Sequence, residues 1–89
     1  MKVLQIASIE AEDNLIYYRR NYKAIAKIEY LSKNDDVKVA FTLEIDPLGR
    51  KTVTLSYPEG TDFDYPVLPV TKAIKETVLA MDSEGQLPL

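Results

Sequence analysis

Val37-Lys38-Val39-Ala40-Phe41-Thr42-Leu43-Glu44-Ile45 alternates in polarity without a break. Val37, Val39, Phe41, Leu43 and Ile45 fall on one side, and Lys38, Ala40, Thr42 and Glu44 on the other. Successive side chains of a strand point to opposite faces, so this stretch predicts a strand with one buried face. Asp46-Pro47-Leu48-Gly49 follows it. Proline presets φ for the second position of a type I turn, and glycine supplies the left-handed residue that closes it, so these four residues predict a hairpin loop. The return strand is Lys51-Thr52-Val53-Thr54-Leu55-Ser56-Tyr57, with Val53, Leu55 and Tyr57 turned in and Thr52, Thr54 and Ser56 turned out. Pro58-Glu59-Gly60 ends it.

Working outward, Tyr22, Ala24, Ala26, Ile28 and Tyr30 alternate with Lys23, Ile25, Lys27 and Glu29. The turn-prone residues Ser32-Lys33-Asn34-Asp35-Asp36 join this run to the strong strand. Residues 22–57 thus predict a three-stranded antiparallel meander, and its alanines leave room for a helix to pack closely. In residues 67–82, Val70, Ala73, Ile74, Thr77, Val78 and Met81 recur at spacings of three and four, which predicts a helix with one apolar stripe. Pro66 or Pro69 suits its first turn and Gly85 its C-terminal stop. Phe41 and Leu43 are expected to pack on Ile74 and Val78.

Two regions read less cleanly. Residues 2–9 alternate loosely and suggest a further strand. Residues 10–21 fit two templates: a helix stripe of Ala11, Leu15, Tyr18 and Tyr22, or a turn at Glu12-Asp13-Asn14 followed by a strand from Leu15 to Arg19. Consecutive aromatic and β-branched residues favour the strand. The expected fold class is α+β: an antiparallel meander of four to five strands with one C-terminal helix on one face, in a single domain spanning 1–89.

Composition narrows function mainly by exclusion. With 46% hydrophobic and 28% charged residues the chain is of the globular class. The absence of cysteine removes thiolate chemistry and disulfides, and the absence of histidine removes the commonest general base near neutral pH. A nucleophile would lack its usual base, and no glycine-rich phosphate loop occurs, so no catalytic residue is named and an enzyme is not expected. No cofactor is implied. No apolar run reaches membrane-spanning length and the first residues lack a signal-peptide core, so the expected setting is cytoplasmic, without a membrane partner.

The net charge is −3, yet residues 15–33 carry Arg19, Arg20, Lys23, Lys27 and Lys33 against Glu29 alone. Within this basic segment lies the first candidate site: Tyr17, Arg19, Arg20, Tyr22 and Lys23. Aromatics interleaved with cations can stack bases and neutralise phosphates, and arginine forks grip carboxylates equally well. The plainer reading makes the tyrosines half-buried sheet residues and pairs the cations with nearby acids. The acidic balance disfavours nucleic acid, so a protein partner or self-association is the expectation. A weaker candidate is Glu59, Asp62 and Asp64, three carboxylates that could hold a hard cation but lack EF-hand spacing; a solvated loop explains them as well. The third is the hydroxyl face of Thr42, Thr52, Thr54 and Ser56, either a wet sheet surface or an interface. No motif here names a function.

Overall fold

The structure, a computed structural model, describes residues 2–12, 16–58 and 66–88. Four strands, β1 (Lys2–Ala11), β2 (Arg19–Tyr30), β3 (Lys33–Ile45) and β4 (Lys51–Ser56), are followed by one helix, α1 (Val67–Ser83). The strands form one antiparallel sheet in the order β1-β2-β3-β4, a plain meander. The expected α+β class holds, with α1 lying across one sheet face.

The alternation sets that face. On β2, Tyr22, Ala24, Ala26 and Ile28 are buried; on β3, Val37, Val39, Phe41 and Leu43; on β4, Val53. They form one cluster with Val70, Ile74 and Val78 of α1, so Phe41 and Leu43 share the core with Ile74 and Val78 as the pattern requires. The small alanines of β2 were expected to draw the helix onto that strand. Instead the backbone of α1 lies nearest the two edge strands, β1 and β4. The Tyr22 ring, stacked on Phe41 with centroids 5.1 Å apart, occupies the central part of the core.

Three local readings differ from the sequence pattern. The β2–β3 connection is not a loop over Ser32–Asp36. Tyr30 pairs with Lys33, and the turn is the two residues Leu31 (φ 49°) and Ser32 (φ 67°). Positive φ at both central residues is the type I′ geometry, whose twist matches that of the flanking strands. Second, Leu15–Arg19 does not run as a strand: Ile16 bridges to Arg19, and Tyr17 and Tyr18 form the corner of a turn that enters β2. Third, β1 carries two register shifts, between Val3 and Gln5 and between Ala7 and Glu10, with Ser8 at φ 53°. Each adds one residue and reverses the facing pattern, so a strict period of two could not be seen there.

The two ends of α1 are closed differently. Pro66 stands at its N-cap with no side-chain cap. At the other end Gly85 adopts φ 71°, and the Gln86 N–H reaches the Met81 carbonyl at 2.9 Å, a glycine stop that turns the tail back over the core. Leu87 is buried there. No helix among the described residues is long and apolar enough to cross a membrane.

Candidate functional site

The basic-aromatic segment is divided by the pleat. Residues of even number on β2 point to the core, and Arg20 has the same parity as Tyr22 and Ala24. Arg20 is only 3% exposed, and Tyr22 only 1%. The Arg20 guanidinium donates through Nη1 to the Tyr22 hydroxyl at 3.0 Å and through Nη2 to Asp82 Oδ1 at 2.9 Å. Asp82 also takes Lys51 Nζ at 2.6 Å, and Tyr22 donates to the Pro88 carbonyl at 2.7 Å. Arg20 Nε has no hydrogen-bond partner. One network thereby ties β2, β4, the end of α1 and the tail together.

Its electrostatics follow from geometry. A carboxylate in the last turn of a helix opposes the helix dipole, and two cations from the sheet offset it. Burial pushes the Asp82 carboxyl up, but hydrogen bonds from Lys51 and Arg20, with their charges, outweigh that and hold it below the usual carboxylate range. For Tyr22, burial pushes the hydroxyl up and prevails over the opposing pull of Arg20.

The other members of the segment face water. Tyr17 is 65% exposed and Tyr18 60%, with Ile16 beside them. Arg19 and Lys23 lie on the outer face. Arg19 stands opposite Glu44, and Lys23 opposite Glu10, with Glu12 at 3.6 Å. An exposed pair such as the last contributes at most about 1 kcal/mol. The exposed Tyr17 ring lies over the buried guanidinium, 4.7 Å from Arg20 Cζ to its centroid. Tyr17 is therefore held from below by a cation–π contact rather than left swinging.

The turn at Tyr17–Tyr18 shares its end of the sheet with the β3–β4 hairpin, because the Ile45 N–H donates to the Tyr18 carbonyl at 2.8 Å. That hairpin exposes Leu48. Asp46 braces it, accepting the N–H groups of Leu48 (2.9 Å) and Arg50 (2.8 Å) and the Arg50 side chain at 2.7 Å. The Arg50 N–H, above all, holds the Asp46 carboxyl below the usual range, against a small opposing effect of desolvation. Ile16, Tyr17, Tyr18 and Leu48 thus form an exposed apolar end flanked by Arg19 and Arg50. Leu48 could not be assigned to this end from sequence, since the register that brings the two turns together spans the whole β2–β3 pairing.

The hydroxyl face lies outside, opposite the helix. Thr42 donates to Asn21 Oδ1 at 2.6 Å across the strands, and Thr42 in turn faces Thr54. A groove of about 750 Å³ runs over this face, with Glu10, Lys23, Ile25, Lys38, Ala40 and Ser56 among its walls. Glu59, Asp62 and Asp64 lie outside the described residues. Among the described residues no three acidic side chains are grouped to hold a metal ion.

No curated protein and no solved structure matches the chain. The model of the BB_0187 family matches residues 1–83, which span the whole sheet and helix, and the chain belongs to that family.

Proposed function

We propose that this protein is a non-catalytic interaction domain that docks a partner protein on the end of the sheet formed by the Ile16–Arg19 turn and the Asp46–Arg50 hairpin. The observation that carries the reading is the exposed apolar cluster of Ile16, Tyr17, Tyr18 and Leu48 on a braced support. Tyrosine and arginine dominate the energetic centres of protein interfaces. A tyrosine already stacked on Arg20 loses little freedom on binding, so more of its contact energy appears as affinity. The cations of the segment are poorly placed for a phosphate backbone: Arg20 is committed to Asp82, and Lys23 lies beside Glu12.

The test begins with affinity capture by the intact chain, identification of the bound protein, and titration of that purified partner by calorimetry. Tyr17→Ala with Tyr18→Ala should weaken binding at least about tenfold, and Leu48→Ala several-fold, while Thr54→Ala on the outer face should leave it unchanged. Equal affinity for all variants would overturn the reading. So would a saturable, salt-sensitive isotherm with a single-stranded oligonucleotide, which is expected to be flat near physiological salt.

A further inference from the structure

β1 is the terminal strand of the sheet, and among the described residues no strand pairs with its far side. Edge strands are normally blunted by charge, proline or brevity. β1 has ten residues, no proline, and no charge between Lys2 and Glu10. Its facing pattern is set by the two bulges. Lys2, Gln5, Ala7 and Glu10 lie opposite Glu29, Lys27, Ile25 and Lys23, all on the outer face. Val3 and Ile6 lie opposite Ile28 and Ala26 on the inner face, and Ile9 packs on the same core. Read from Ile6 in either direction, this pattern is the same: inner at Ile6, outer at Gln5 and Ala7, inner at Val3 and Ile9, outer at Lys2 and Glu10, with a bulge between on each side.

We propose that β1 is a homodimer interface, in which two copies pair β1 with β1 antiparallel about a two-fold axis through Ile6, normal to the sheet. In that register Ile6 meets the Ile6 of the second copy, Gln5 meets Ala7, Val3 meets Ile9, and Lys2 meets Glu10. Every pair shares a face, the bulges face each other, and both charged pairs join opposite signs, which is the favourable cross-strand arrangement. A shift of two residues either way sets Val3 against Ala7 or Gln5 against Ile9, an inner residue against an outer one, so the register is specified. The interface is isologous and closed. It joins two four-stranded sheets into one continuous sheet with both helices on the same side, and it covers the half-buried Val3 and Ile9 together with Leu4, now 45% exposed. It involves none of the Ile16–Leu48 docking end and does not depend on it.

The test is sedimentation of the intact chain over a micromolar concentration series. The native sequence should dimerise. Glu10→Lys sets Lys2 against a lysine at both ends of the pairing and should raise the dimer Kd at least about tenfold; Lys2→Glu should do the same by opposing two carboxylates. Lys2→Glu combined with Glu10→Lys restores opposite signs and should recover the dimer. Circular dichroism melts confirm that each variant folds, and either single variant carries the test if the other does not. A native chain that stays monomeric up to several hundred micromolar, whether or not it takes up a foreign strand peptide, would overturn the proposal. So would a dimer indifferent to both single changes.

Discussion

Arg20 has committed its charge to the interior. A buried ion pair is a poor source of stability compared with apolar packing of the same volume, but removing one partner strands the other. Arg20→Met should therefore cost about 3–5 kcal/mol in urea melts, because Asp82 would keep only Lys51. Arg20→Met together with Asp82→Leu should recover most of that loss. The same melts repeated at acid pH carry a sign. The Asp82 carboxyl titrates lower in the folded chain than in the unfolded one. Its contribution is complete above the ordinary carboxylate range, near pH 4, and is lost as pH falls through the folded value. The native chain should therefore lose stability below about pH 4 more steeply than Asp82→Asn does. Equal slopes would mean that Asp82 is not held by its partners.

Elements show where a sequence speaks and where it falls silent. The strands around Phe41 and Val53 were legible because alternation with one buried face leaves little choice, and helix 67–82 ends within one residue of the observed Val67–Ser83. β1 was legible only as a loose strand, since two bulges reset its phase. Arg20 was misjudged by chemistry rather than pattern: its parity with Tyr22 put it inside, but an arginine inside needs Asp82 and Lys51, and nothing local announces partners that far along the chain. The Leu31–Ser32 turn was hidden because neither residue is a type I′ former. A left-handed leucine is strained, at roughly 1–2 kcal/mol per residue. Leu31→Asn with Ser32→Gly supplies the preferred pair and should raise the denaturation midpoint, by about 1 kcal/mol of stability. An unchanged or lower midpoint would show that the exposed Leu31 side chain holds the turn in some other way.

As a whole the molecule is elongated, 40 × 22 × 20 Å, with its long axis set by the central hairpin. The apolar docking cluster lies at one end of the sheet and Leu31 at the tip of the other. Pairing two copies through β1 reverses the second sheet, so the two docking ends would point in opposite directions. A bivalent arrangement of that kind suits a partner that repeats, because the second contact is then made at high effective concentration.

The Arg20–Asp82 clamp also has a consequence in time. Every strand pairing joins neighbours in sequence, so the sheet can assemble by closing short loops. Arg20 and Asp82 are 62 residues apart, and Tyr22 and Pro88 are 66 apart. Such long closures cost the most chain entropy before any contact rewards them, which puts them after the rate-limiting barrier. Interactions absent at the barrier act on escape from the folded state and leave arrival almost untouched. Chevron plots should then show Arg20→Met steepening the loss of folded chains, with the refolding limb little changed, while the Leu31–Ser32 replacement acts on refolding. The clamp governs how long the folded chain lasts, and the turns govern how soon it forms.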